Sequence, residues 1–466
     1  MASGNERALT IVWSTVEIEL LSKLGVAMPV GPYDQFTLPD GAKAPLYVLQ
    51  FDRSGGNTSP RTTDHLIDEL QTGNFTEIYF FSHGWLNTFA DALSLYKQYF
   101  GGYVALRAER GLGSDSFRPL FIGTHWPSIA MVLPWERGPK IAAAALQPQD
   151  DDDEQMRRTI GLSLDGAHAA EFYRLTERES LTNQEAQQLA RILQPLYTSV
   201  ADGSTVAPDI DQIVGAWRDL EASAVEPEPD YAALPQKIQP TAQGSPEAAV
   251  SFAEVLDPRN AVRVTTVLMM KDRAGVVGTL GVAPVLERIL KCCERPLHLI
   301  GHSYGCRVML TAVSVPQGLP HKVDSVLLLQ PAVNRYCFAV LIPDIGVKGG
   351  FEPALHRVNQ PIFSTFSRND APLRYLFQFA ARRMKDLGEL RSAADEPSIY
   401  AALGGYGPAG MIPAEQRTVP IKEVGDPYPR DEGLRVLALD GSGKITGHSD
   451  VKNSYTCWAL LDQATH

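Results

Sequence analysis

The stretch that decides the fold is Leu297-His298-Leu299-Ile300-Gly301-His302-Ser303-Tyr304-Gly305. Leu297 to Ile300 is a short apolar run of the kind a buried strand uses. Val308, Met309, Leu310, Ala312 and Val313 follow as an apolar helical stretch. Between them stands a Gly-x-Ser-x-Gly pentapeptide. Alone it decides little: a chain of this length carries one by accident in roughly one case in five at ordinary Gly and Ser frequencies. Flanked by strand and helix, it reads as a tight strand–turn–helix that lifts the Ser303 hydroxyl above a sheet edge. The glycines two residues away keep the strained turn uncrowded. The helix N-terminus supplies N–H groups and a positive dipole end, and the N–H of Tyr304 is the expected first oxyanion donor. The turn aims His302 away from the Ser303 hydroxyl, so His302 reads as a packing residue.

Outward from this point, short apolar runs alternate with helical patterns. Leu46 to Phe51, Ile78 to Ser82 and Leu120 to Gly123 precede the serine; Val326 to Leu329, Ile362 to Phe366 and Leu434 to Leu439 follow it. This rhythm predicts an α/β protein with a mostly parallel central sheet flanked by helices. A helix with Phe89, Ala92, Leu93 and Tyr96 on one face is expected after the second run, and another over Gly275 to Lys291.

The rhythm stops between Pro127 and about Val262. That segment holds an apolar stretch, Ile129 to Trp135, an acidic run, Asp150 to Glu154, and a Pro-rich stretch, Pro227 to Pro246. Thr182 and Glu185 form a capping-box signature, with Ala186, Leu189, Ala190 and Leu193 at helical spacing behind it. The expected organisation is a core of residues 1–126 and 263–466 interrupted by a large helical cap, 127–262. Loops after parallel strands emerge at the carboxyl edge, so such a cap is expected to overhang Ser303.

A nucleophilic serine needs a base and a group to orient it. In hydrolases built on such sheets the order along the chain is Ser, Asp or Glu, then His, each just past a strand. Asp370 follows Ile362 to Phe366 and is the expected acid; Asp324, Asp344 and Asp440 fit less well. Of His448 and His466, the two histidines beyond it, His448 lies in a loop past the last strand and is the expected general base. His83-Gly84-Trp85 ends an earlier strand. Gly84 allows close approach there, the N–H of Trp85 is the expected second oxyanion donor, and His83 is read as bracing the loop.

The formal net charge is -12, and no basic face points to nucleic acid. Five cysteines, two of them adjacent, make a poor disulfide framework and lack zinc-ligand spacing. No secretory signal and no spanning apolar stretch is read, so a cytoplasmic protein is expected. The chemistry calls for no metal and no organic cofactor.

Together these residues resemble a family of bacterial α/β-hydrolases. The shared motifs are His83-Gly84-Trp85 with Asn87, Phe89 and Ala92; Trp126-Pro127-Ser128; the Gly-His-Ser elbow; Ser367, Asn369 and Asp370 as Ser-x-Asn-Asp; and Gly447-His448-Ser449. The resemblance covers the core and implies the α/β-hydrolase fold with a Ser303–Asp370–His448 triad, but no particular substrate. The chain departs from the family at Tyr304-Gly305-Cys306, where Met-Gly-Asn is usual, and in its longer insertion. A small-molecule carboxylic ester is the expected substrate. A lipid or phospholipid, with peripheral membrane contact, is the nearest alternative; an amide or thioester would use the same triad. A silent hydrolase fold serving as a binding module is the alternative of a different class. Trp85, Ile129, Trp135, Tyr336 and Phe338 are the expected substrate-binding residues.

Overall fold

The computed structural model of the protein describes residues 30–85, 87–112, 117–128, 156–158, 160–197, 209–224, 255–343, 346–377, 397 and 399–465. Ile129, Trp135, Asp344, His466 and the acidic and Pro-rich stretches of the expected insertion lie outside the described residues.

In chain order the strands are β1 (Asp34–Thr37), β2 (Lys43–Gln50), β3 (Glu77–Ser82), β4 (Pro119–His125), β5 (Leu181–Thr182), β6 (Val255–Leu256), β7 (Leu297–His302), β8 (Ser325–Leu329), β9 (Ile362–Phe366), β10 (Gln416–Pro420) and β11 (Val436–Asp440). Nine of them form one sheet in the order β1-β2-β4-β3-β7-β8-β9-β11-β10. Every neighbouring pair is parallel except β1 with β2. The protein is therefore α/β, with a mostly parallel sheet flanked by helices.

β3, β7 and β8 are buried along almost their whole length. That is why they read as continuous apolar runs, since strands covered on both faces have no polar side to alternate with. One face carries helix Phe89–Glu109 and helix Ser454–Ala464, whose Tyr96, Phe100 and Leu460 pack with Phe81, Leu327 and Leu439 of the sheet. Helices Pro60–Thr72, Ala283–Cys292 and Tyr304–Ser314 pack with one another and against β2 and β7. The helix expected over Gly275 to Lys291 falls on the end of helix Pro258–Val276, a π-helical turn, Val277–Val282, and helix Ala283–Cys292. Gly278 in that turn lies so close to helix Tyr304–Ser314 that a β-carbon would sit 2.7 Å from the Val308 carbonyl oxygen.

Two compact units are present: Met1–Ile129, Arg273–Leu373 and Ala401–His466 form the first, and Ala130–Asp272 with Arg374–Tyr400 the second. The second unit thus begins and ends slightly later than the expected 127–262 and includes a later segment. Within it, Thr182 caps helix Asn183–Leu193: its side chain accepts from Glu185 N, and the Glu185 carboxylate accepts from Thr182 N at 2.9 Å. Ala186, Leu189, Ala190 and Leu193 are buried. Trp217 Nε1 donates to the Tyr197 hydroxyl at 3.1 Å, which lies 3.1 Å from the Thr265 hydroxyl. β5 and β6 pair antiparallel in this unit. Among the described residues no helix is long and apolar enough to cross a membrane.

In the first unit the approach of β7 to β3 leaves no room at Gly305, where an added β-carbon would overlap the Ser82 carbonyl oxygen. Overpacking a rigid site costs about 1–3 kcal/mol. Gly305→Ala is expected to fall at the upper end of that range in urea unfolding. An unchanged midpoint would contradict the packing described.

Candidate active site

Ser303 connects β7 to helix Tyr304–Ser314 with φ 56 and ψ -124, a left-handed backbone that non-glycine residues rarely adopt. Three glycines make the turn feasible. A β-carbon on Gly301 would lie 2.5 Å from Cys306 Cα, and one on Gly84 would lie 2.5 Å from Ser303 Cβ and 2.8 Å from the His302 carbonyl oxygen. Gly305 is the third, against β3. The close approach of Gly84 brings the His83-Gly84-Trp85 segment beside the serine. The Trp85 and Tyr304 rings meet edge-on with centroids 6.2 Å apart, so the two expected oxyanion donors come from segments that flank Ser303.

His83 is fully buried, with both ring nitrogens engaged by the surrounding backbone. Its Nδ1–H donates to Gly84 O at 2.7 Å, and its Nε2 accepts from Trp126 N at 3.2 Å. The Trp126 ring stacks on it at 5.2 Å with planes 6° apart. Asn87 Nδ2 donates to Trp85 O at 2.9 Å, and Asn87 N donates to the Ser128 hydroxyl at 3.3 Å. The His-Gly-Trp and Trp-Pro-Ser motifs are thus two halves of one clamp on the loop that carries Trp85.

The acid turn follows β9. Asp370 is 0% exposed. Its Oδ1 accepts from Leu373 N at 3.0 Å, which is a helix-capping bond, and its Oδ2 accepts from His448 Nδ1 at 2.8 Å. It therefore acts both as a cap and as a partner of His448. An ionised carboxylate only accepts, so this bond fixes the proton on Nδ1. Nε2 is then left to accept from the Ser303 hydroxyl, 2.9 Å away. Ser367 Oγ and Asn369 Nδ2 donate to Ile445 O at 2.9 and 2.8 Å, and Asn369 Nδ2 also reaches Ser442 O at 2.9 Å. The first and third residues of the Ser-x-Asn-Asp turn thereby hold the loop that carries His448.

Ser303, His448 and Asp370 are brought together. The other expected residues fare unequally. Phe338 is 1% exposed and offers almost no surface to a substrate. Tyr336 is half-buried in the turn after β8 and packs against Gly410, whose added β-carbon would lie 2.8 Å from Tyr336 Cδ1. His302 departs from its reading as mere packing: its ring lies 5.0 Å from that of His448, and its Nε2 is 2.9 Å from the His448 carbonyl oxygen. A carbonyl only accepts, so Nε2 carries the proton and His302 steadies the backbone of the histidine loop. The sequence reading also missed Gln330, whose Nε2 donates to Asp370 Oδ2 at 2.9 Å. Among the described residues no cluster of three or more His, Cys, Asp or Glu has a metal-binding arrangement.

Comparison with protein-family models, curated proteins and solved structures yields no match.

Burial drives the pKa of His83, His298 and His302 down to about 3 each. An unfolded histidine titrates near about 6.5. Between those values the unfolded chain binds more protons than the folded one. Stability is therefore complete above about pH 6.5 and is lost as pH falls toward 3. Urea midpoints are expected to drop between about pH 7 and pH 4.5, and His298→Phe is expected to flatten that slope. A wild-type midpoint that does not move would contradict the buried neutral imidazoles.

Proposed function

We propose that the chain is a serine hydrolase of the α/β-hydrolase type, cleaving a carboxylic ester through an acyl-enzyme on Ser303. One observation carries the reading: the continuous relay from the Ser303 hydroxyl through His448 to Asp370, with bonds of 2.9 and 2.8 Å. It stands at the carboxyl edge of a parallel sheet, where such proteins bind ligands.

The chemistry follows from the bonds. Ser303 Oγ attacks the ester carbonyl carbon as its proton passes to His448 Nε2. The carbonyl oxygen becomes an oxyanion, which the N–H groups of Trp85 and Tyr304 receive. The tetrahedral adduct collapses, the C–O bond to the alcohol breaks, and His448 returns the proton to the leaving oxygen. A water then repeats the sequence on the acyl-serine, releasing the acid and the free serine. Asp370 stays ionised throughout; it holds the imidazole tautomer and stabilises the imidazolium. His302, neutral and bound to the His448 carbonyl, takes no part in proton transfer.

A lipid ester is the second reading, and one observation favours it. Val340, Leu341 and Val347 in the loop after β8, and Ile412, are 43%, 59%, 51% and 47% exposed. Val340 N bonds Gly410 O, two residues before Ile412, and Ile342 N bonds Val347 O, so these segments are neighbours; isolated exposed apolar residues need no explanation, but grouped ones mark an interaction surface. A preference for C10–C12 over C2–C4 esters would support it.

Ser303→Ala is expected to abolish hydrolysis of short p-nitrophenyl esters with the fold intact. His448→Ala should be nearly as damaging, and Asp370→Asn should lower kcat by about 10⁴-fold through the wrong tautomer. Steady-state kinetics with circular dichroism as a folding control measures all three. Substantial activity in Ser303→Ala would refute the nucleophile. A harmless Asp370→Asn would refute the acid.

A further inference from the structure

Gln330 follows β8 directly and is 0% exposed. It is the second non-glycine residue in the described chain with positive φ, at 45°. Such a backbone persists only where its surroundings enforce it. Here the residues on either side of Gln330 bind both backbone polar groups of the nucleophile. Leu329 O accepts from Ser303 N at 3.0 Å, and Ala332 N donates to Ser303 O at 3.2 Å.

The side chain reaches the other end of the relay. Gln330 Nε2 donates to Asp370 Oδ2 at 2.9 Å, the same oxygen that takes the His448 Nδ1–H. The amide cannot be turned over. The Thr365 hydroxyl accepts from Gln330 N at 2.9 Å and donates to Gln330 Oε1 at 3.0 Å. A reversed amide would set Oε1 against a carboxylate, two acceptors with no proton between them.

We propose that Gln330 is a positioning residue that holds the nucleophile turn and the acid turn in register: the turn it occupies bonds Ser303 through Leu329 O and Ala332 N, and its amide fixes Asp370. This rests on the serine-hydrolase reading. Gln330 touches no reacting atom. Its loss lets the carboxylate swing and the imidazole follow, so Nε2 and Oγ leave attack geometry while the substrate surface is untouched. Displacements of about 1 Å in such a relay cost up to ~10²-fold.

Two variants test this, Gln330→Met, which keeps length and removes the donor, and Gln330→Glu, which keeps shape and replaces the donor with an acceptor. Two readouts apply. The first is the downfield proton resonance of His448 Nδ1–H, assigned by its loss in His448→Gln and recorded without substrate. The second is kcat and KM on a p-nitrophenyl ester. Both variants are expected to shift or broaden the resonance and to lower kcat by about 10–100-fold with KM changed less than about 2-fold. If either folded variant leaves the resonance and kcat unchanged, the positioning role is overturned. A resonance that moves in a protein without esterase activity supports the positioning and counts against the hydrolase reading alone. Absence of the resonance in the wild-type protein overturns the His448–Asp370 bond and the proposal with it.

Discussion

Ser303 is held at φ 56 between a buried strand and a buried helix. Left-handed backbone at a residue with a β-carbon costs of the order of 1–3 kcal/mol. The neighbouring segments offset it: Leu329 and Ala332 bind the Ser303 N–H and C=O, Cys306 N also bonds Ser303 O, and Gly84 and Gly305 let the adjoining strand close in. The same strain sets the side chain at the sheet edge, where His448 Nε2 meets it. Relaxing the turn would carry the hydroxyl away from the imidazole, so every other contact of the site presupposes it.

A parallel sheet explains why residues so far apart in the chain converge. β3, β7, β8, β9 and β11 all end on one edge, and the segments carrying Trp85, Ser303, Gln330, Asp370 and His448 follow them in that order. Each segment is then tied to the next. Gly84 packs on Ser303, Ser303 bonds the turn around Gln330, Gln330 bonds Asp370, and the Asp370 turn holds the loop of His448. His302 closes the circle by reaching back to the His448 carbonyl. Ser303, His448 and Asp370 are each therefore positioned by residues on at least two strand ends, the kind of support a preorganised site would need.

The central strands were legible because burial on both faces writes itself as an uninterrupted apolar run. Ile362 to Phe366 is the same in sequence and structure, and the strand–turn–helix at Ser303 was legible from its flanks. The two edge strands were not. β1 reads DQFT and β10 reads QRTVP; neither is apolar, and both are largely half-buried or exposed. Among the site residues, Ser303, Asp370 and His448 could be placed by chain order because each follows a strand. Gln330 carries no local signal, since its partners Thr365 and Asp370 lie 35 and 40 residues away. The bond that His302 makes beyond packing was hidden for a related reason. Its Nε2 bonds the His448 carbonyl, and that loop comes from 146 residues further along the chain. The His-Gly-Trp and Trp-Pro-Ser motifs were visible as motifs; that they form one clamp appears only when His83 and Trp126 are seen stacked.

Reaction of the folded protein with a fluorophosphonate, followed by peptide mass spectrometry, tests the central claim most directly. Such a reagent needs a serine that is both strained into reach and activated by its base. The expected result is a single adduct on Ser303, lost when His448 is replaced by Ala. No adduct, or an adduct on another residue with Ser303 unmodified in a folded protein, would contradict the relay as a working nucleophile.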